Sequence, residues 1–467
     1  MLKRLFSLSF FILFLSSFTI SAQSLAEQIE KLMQDLPEGS DVGISIYDLT
    51  DQRYIYNYRE KKLCRPASTQ KLLTGITALD LPQADLPFTT EVWTNGEIKE
   101  GTLNGDLYII GDFDPEFDEQ SMQALVDQIK SFPINNITGK VYGDVSIKDS
   151  LYWGSGWAWD DTPNAFQPHL SPLMYCKGVV TYSLTPSTAG NVATVSCFPR
   201  SSFYQIENNT KSHTPNAGSF ELTRDWMNGD NTLLIKGNVP SKIQGKINLH
   251  HPESFFIHAL VEKLLQNGIH CKGEYAFNDF NATTTSTKIA SWNTSMSKVL
   301  KEMMKESDNL NAEALLNRIA RQSTGKTQGT TKDGLEAIKQ LIKKIGLNPS
   351  DYRLADGCGL SNYNYITPEL LVAFLRYAYS NTELFQKLYK SLPIAGIDGT
   401  LSYRMGKTKA FKNVHAKTGA ISGIYTLAGY LKANNGHQIA FAIMNQNALA
   451  GKKPRSFQNE VCTILCE

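Results

Sequence analysis

Arg65-Pro66-Ala67-Ser68-Thr69-Gln70-Lys71-Leu72-Leu73-Thr74-Gly75 decides how the rest of the chain is read. A proline and a small residue precede a serine. Leu72, Leu73, Ile76 and Leu79 then recur at helical spacing, so the stretch predicts an amphipathic helix opening near the serine. Ser68 and Lys71 stand three residues apart and therefore share one face, a turn apart. A serine hydroxyl is a weak nucleophile at neutral pH and needs an adjacent base. An unprotonated lysine can be that base where its surroundings lower its pKa. Taken alone, the pair also describes a capping serine followed by a solvated lysine. The distinction rests on partners elsewhere in the chain.

The bulk properties narrow the classes those partners can belong to. With 467 residues the chain exceeds one ordinary core, so two or three domains are expected. Lys+Arg total 46 against Asp+Glu 45, and this balance excludes the basic excess of a nucleic-acid binder. Lys3 and Arg4 precede an apolar run from Leu5 to Ile20 that leaves through Ser21-Ala22-Gln23. That three-part pattern predicts a secretory signal peptide over residues 1–22, hence a periplasmic, soluble mature chain. No cysteine stands at the exit to carry a lipid anchor. Seven cysteines form no Cys-x-x-Cys pair, and eight histidines form no ligand spacing, so neither a metal nor a cofactor is expected. In an oxidising compartment Cys176 and Cys197 could bridge, although sequence does not give connectivity. An odd count leaves at least one thiol free or paired between chains.

Along the chain, residues 25–36 read as a helix, and 41–49 with 53–58 as a hairpin. From Pro87 to Lys288 the texture changes to short strands between Gly, Asn and Asp turns, with helices near 120–131 and 254–267. Helices return at 294–305, 312–322, 332–345 and 367–379. Strands follow at 414–421, 425–433 and 437–444, and a last helix begins near Arg455. The expected organisation is an α/β (α+β) domain built from 23–86 and 289–467, split by β-rich material over 87–288 that holds two nested domains.

Two further stretches change the reading of Ser68. Ser307-Asp308-Asn309 lies in a tight connector between helices, and Lys417-Thr418-Gly419 lies on a strand followed closely by another. Ser-x-x-Lys, Ser-Asp-Asn and Lys-Thr-Gly in this order form the signature of penicillin-binding proteins and class A β-lactamases. The residue types fit one mechanism. Ser68 attacks a peptide carbonyl and Lys71 takes its proton; a second lysine, Lys417, disfavours charge on the first. Ser307 can relay a proton to the leaving amine, and Asn309 can bond the substrate backbone. Lys417 and Thr418 offer a charge and a hydroxyl to a terminal carboxylate. Gly419 leaves the strand edge clear for an added peptide strand. The amides of Ser68 and Ala420 are the expected oxyanion donors.

The chain resembles the D-alanyl-D-alanine carboxypeptidase/endopeptidase family, the class C low-molecular-mass penicillin-binding proteins. The likeness rests on Pro66-Ala67-Ser68-Thr69-Gln70-Lys71, the long interval to Ser307, Asp356-Gly357-Cys358-Gly359-Leu360-Ser361, the run from Ala395 to Tyr403, and Lys417-Thr418-Gly419. It covers nearly all of the mature chain. It implies a penicilloyl-serine transferase (transpeptidase-like) fold with two nested β-rich domains, action on peptidoglycan stem peptides and cross-links, and acylation by β-lactams. Two departures stand out: Cys358 replaces the family's usual serine, and Asn362 replaces an arginine near the substrate. Cys358 reads as a small buried residue, since no histidine is paired with it. Asp144 resembles an insert aspartate that some members turn toward the substrate, so Asp144 and Asn362 are carried as substrate-binding candidates. A serine β-lactamase and a catalytically silent peptidoglycan-binding module are the competing readings. The first lacks a counterpart of the class A deacylating glutamate, and the second is opposed by the intact Ser68, Lys71, Ser307, Asn309 and Lys417 set.

Overall fold

Residues 24–467 are described by a computed structural model; the expected signal peptide lies outside them. The two ends of the chain meet in one antiparallel sheet. Its strand order is His415–Ile421, Ile424–Lys432, Gln438–Gln446, Asp41–Asp48 and Arg53–Tyr58. Ile44 stands opposite Ile443, so strands from opposite ends of the sequence form the sheet centre. Both faces of the central strands are covered. Ile439, Phe441 and Ile443 pack beneath the terminal helices Leu25–Met33 and Lys452–Leu465, whereas Ala440, Ala442 and Met444 face the central helices. The period-two alternation therefore feeds two cores, and Ala440 and Ala442 keep the face toward the central helices small enough to let them approach. No helix among the described residues is long and apolar enough to cross a membrane.

The helix Gln70–Leu79 runs through the middle of the central core, and all ten of its residues are buried. This corrects the amphipathic expectation. Its polar side faces protein rather than water: Gln70 Nε2 reaches the Asp356 carbonyl and Thr74 Oγ1 the Gly357 carbonyl at 2.6 Å. Gly75 lets the methyl groups of Met303 and Met304, on the neighbouring helix Met296–Lys305, approach the helix backbone, and a side chain there would require these methyls to shift.

Between these elements the chain leaves the central body. A sheet ordered Tyr275–Phe277, Val141–Asp144, Thr102–Gly111, Phe88–Lys99 and Ser286–Thr294 carries the excursion, with Asn136–Ile137 paired to one strand. Its closing strand reaches Thr294 and so passes the boundary expected at residue 288. Two three-stranded sheets are nested within it, between Asp144 and Tyr275. Two of their strands, Ile206–Ser212 and Glu221–Arg224, were not visible in the sequence, nor was the helix Thr382–Ser391. All seven cysteines are unpaired, so the structure contains no Cys176–Cys197 bridge.

Candidate active site

A short 3-10 turn, Ala67–Thr69, delivers Ser68 to the start of the buried helix. Ala67 holds a left-handed backbone (φ 47°), uncommon for a residue with a Cβ and recurrent where backbone strain serves a site. Lys71 Nζ lies 2.9 Å from Ser68 Oγ, 2.6 Å from Asn309 Oδ1 and 2.7 Å from the Cys358 carbonyl oxygen. Two of these neighbours are carbonyl oxygens that only accept. A neutral amine has two N–H bonds to give them, which leaves its lone pair facing the serine hydroxyl. Burial lowers the Lys71 pKa, opposed by the charges of Asp356, Asp308 and Glu313. The geometry places the amine within proton-transfer distance of the serine hydroxyl.

The Cys358 carbonyl is held in place by a tightly braced loop. Asp356 Oδ1 accepts from Gly359 N and Asn364 Nδ2, and Oδ2 from Ser361 N and the indole of Trp157. Glu313 Oε1 accepts from the amides of Gly357 and Cys358 at 2.9 Å each. Burial, and then Asp356, pushes Glu313 up to about 7. The Cys358 thiol is buried, and burial raises its pKa well above the ordinary range. Its contact with Lys71 is made by the backbone carbonyl, not the sulfur.

Asp308 caps the helix Asn309–Thr324 through Asn311 N, and Ser307 before it is left-handed (φ 62°). That turn points Ser307 Oγ at Lys417 Nζ, 2.9 Å away, and places Asn309 against Lys71. Asn309 is engaged at both ends, since its Nδ2 also donates to the Phe166 carbonyl at 2.7 Å. Lys417 does not reach the cleft as a free cation. It is fully buried, donates to Ser307 Oγ and the Thr418 carbonyl, and is held well below its usual pKa by burial and then by Lys71. Thr418 beside it is half-buried, and its hydroxyl donates to Thr400 Oγ1 at 2.7 Å. Thr400 lay in the 395–403 run, but no spacing rule marked it.

His415–Ile421 is an edge strand. Ala416 N donates to the Pro393 carbonyl on its outer side, and beyond that contact the edge is open. Strand alternation puts the amides of Thr418 and Ala420 on the same outer side. Gly419 packs against the helix start: a Cβ there would lie 2.9 Å from Ser68 N and 2.7 Å from the Pro66 carbonyl. The start of the helix thus lies beside the strand that carries Ala420.

Inserted sequence forms the opposite wall. Ser361 Oγ donates to the Ser155 carbonyl, and the Asn362 amide to that of Gly156. A cavity of about 270 Å³ beside Ser307 and Asn309 is also lined by Phe166, Lys177, Phe198 and Lys246. Asn362 is exposed where its amide meets the Gly156 carbonyl. Asp144 is not brought to the cluster: its two carboxylate oxygens accept from the Ser146 and Phe280 amides at 2.9 and 2.8 Å. In this structure it braces a loop of the inserted sheet.

A serine nucleophile, a desolvated lysine, a serine–lysine relay and an open strand edge on a mixed α/β scaffold define an acyl-transferring serine enzyme of the penicilloyl-serine transferase fold. More narrowly, residues 25–466 match the D-Ala-D-Ala carboxypeptidase 3 (S13) family, and the chain belongs to it. It is 29% identical over 461 residues to the D-alanyl-D-alanine carboxypeptidase of Actinomadura sp. (strain R39), covering 95% of this chain and 84% of that one. It is 27% identical to the D-alanyl-D-alanine carboxypeptidase DacB of Haemophilus influenzae, over 92% and 90% of the two chains. The crystal structure of penicillin binding protein 4 (dacB) from H. influenzae matches with a TM-score of 0.84 at 24% identity, covering 94% of this chain and 99% of that one. That likeness shows the shared fold.

Proposed function

We propose that this enzyme removes the terminal D-Ala from peptidoglycan stem peptides through an acyl-enzyme on Ser68, and that it also opens D-Ala cross-links. The observation that carries the reading is the Lys71 amine, wedged between two carbonyl acceptors with its third position on Ser68 Oγ. In acylation the Ser68 oxygen bonds to the scissile carbonyl carbon while its proton passes to Lys71 Nζ. The amides of Ser68 and Ala420 receive the oxyanion. As the C–N bond breaks, Ser307, whose oxygen already accepts from Lys417, gives its proton to the leaving amine and is reprotonated by the proton Lys71 took from Ser68, so Lys71 is neutral again. Water then attacks the ester, Lys71 takes the water's proton, and it returns that proton to the Ser68 oxygen as the acyl bond breaks. Thr418, Gly419 and Ala420 seat the peptide as an added strand.

The same attack on a strained lactam would give a long-lived acyl-enzyme. Asp308, Asp356 and Glu313 each hold a lysine or backbone amides, which leaves Lys71 rather than a dedicated carboxylate to activate water at the ester. This favours a peptidase over a β-lactamase. Export to the periplasm is proposed from Lys3, Arg4 and the apolar run that follows.

Labelling with a fluorescent penicillin tests the nucleophile. Wild type and Ser361→Ala should label and Ser68→Ala should not; label on Ser68→Ala would refute the assignment. Mass spectrometry of digested muropeptides then reads the activity: loss of one D-Ala means carboxypeptidase, and loss of cross-linked dimers means endopeptidase.

A further inference from the structure

Lys177 belongs to the inserted sequence, yet it touches the second catalytic motif. Cys176, Lys177 and Gly178 are all left-handed (φ 48°, 61° and 65°), a turn that two non-glycine residues adopt only under strain. The apex of that turn projects Lys177 Nζ to 2.5 Å from Glu116 Oε1, 2.8 Å from Asp308 Oδ2 and 3.1 Å from Asn311 Oδ1. Asn311 Nδ2 returns to Glu116 Oε1 at 2.9 Å, so the network is closed. Glu116 and Lys177 come from the insert, and Asp308 and Asn311 from the catalytic connector and its helix. The insert therefore grips the short segment that carries Ser307 and Asn309.

We infer that Lys177 is a positioning residue for acylation, by which the inserted lobe holds the Ser307–Asn309 turn and neutralises Asp308 beside the catalytic lysine. The inference rests on Ser68 and Lys71 acting as proposed above. The charge relay has a clear sign. The charged or titratable groups facing Lys71 are Asp308 on the connector, Glu313 on the following helix, Asp356 and Cys358 on the braced loop, and Lys417 on the edge strand. Burial pushes the Asp308 carboxyl upward, and Lys177, the Asn311 amide and Lys71 together bring it below its ordinary value. An Asp308 that the Asn311 amide and Lys71 still hold ionised without the Lys177 charge acts on Lys71 unopposed and favours its protonated form.

The test is the rate of acylation by a fluorescent penicillin across pH, using the full mature chain. Wild type must label first; if it does not, the reading of Ser68 fails rather than this inference. In Lys177→Met the acylation rate at neutral pH should fall about tenfold or more, as misplaced catalytic groups do. The acid limb of its profile should move up by about one pH unit. Lys177→Arg should lie close to wild type. Adding Asp308→Asn to Lys177→Met keeps the helix cap, removes the unopposed charge, and should return the limb toward the wild-type position. Lys177→Gln, which keeps a donor toward Asp308 but no charge, carries the same comparison if Lys177→Met does not fold. An unchanged rate in the neutral variants would overturn the inference. A fall that follows thermal stability while the acid limb stays fixed would overturn it too.

Discussion

The α-carbon of Gly359 lies directly against the carbonyl oxygen of Ala67, in a backbone conformation (φ 85°) that only glycine adopts freely. The contact joins the loop that supplies the Cys358 carbonyl to the turn that supplies Ser68. A methyl group there has nowhere to go, because its obstacle is backbone rather than the end of a flexible side chain. Gly359→Ala is expected to cost about 1–3 kcal/mol in thermal unfolding, from the conformation alone. It should also slow acylation by penicillin more than the loss of folded protein accounts for, since moving this loop withdraws one acceptor from Lys71. Acylation per folded molecule equal to wild type would show that the contact is only packing.

Cys358 makes the opposite case. Its thiol is buried beside Asp356 Oδ2 and burial keeps it protonated, so it is neither a nucleophile nor a labelling site. Cys358→Ser leaves the backbone carbonyl where it is and gives Asp356 a comparable donor. Acylation and hydrolysis rates should stay within about twofold of wild type, the size expected where no catalytic contact is lost. A thiol-selective alkylating reagent should leave the native enzyme active. Inactivation of wild type, with resistance of Cys358→Ser, would restore a catalytic role for the sulfur.

The contrast between these two positions explains what the sequence could reveal. Ser68, Lys71, Ser307, Asn309 and Lys417 are legible because each is a side chain with a fixed offset from neighbours on one helix, connector or strand. The Cys358 carbonyl is not, because a backbone acceptor has no residue signature. Lys177 is hidden for another reason: its partners Glu116, Asp308 and Asn311 are scattered along the chain, and only the nested fold assembles them. In the fold, strands with strict apolar alternation were visible. Ile206–Ser212 was not, being polar along most of its length and paired at a peripheral sheet. The all-round burial of Gln70–Leu79 was misread because its polar residues bond to protein carbonyls, which no periodicity can distinguish from water.

Both site lysines are fully buried and both are held below the 10.5 of a free side chain. Between the depressed folded value and 10.5 the unfolded chain binds more protons than the folded one, so stability rises with pH across that window. Thermal unfolding from neutral toward alkaline pH should therefore show an upward trend contributed by Lys71 and Lys417. Lys417→Met removes one contributor and should give a shallower trend, with a melting temperature at neutral pH no lower than wild type and little acylation. A slope unaffected by the substitution would mean that Lys417 titrates as it does in water. Activity follows the same sign. As pH falls through the folded pKa of Lys71 the amine gains a proton and loses the lone pair that faces Ser68, so acylation should fail on the acid side.

Asp144 tests whether a resemblance or a hydrogen-bond pattern is the better guide. Its carboxylate bridges the Ser146 and Phe280 amides, tying the end of Val141–Asp144 to a loop of the same sheet. Asp144→Asn keeps one carbonyl acceptor and turns the other position into a donor facing a donor. The expected loss is about 1–3 kcal/mol of stability, the cost of leaving a buried amide without an acceptor. Because neither bond reaches Ser68, Lys71 or the strand edge, kcat and KM for a D-Ala-D-Ala peptide should hold at temperatures where the variant is folded. A selective rise in KM without destabilisation would place Asp144 on the substrate after all.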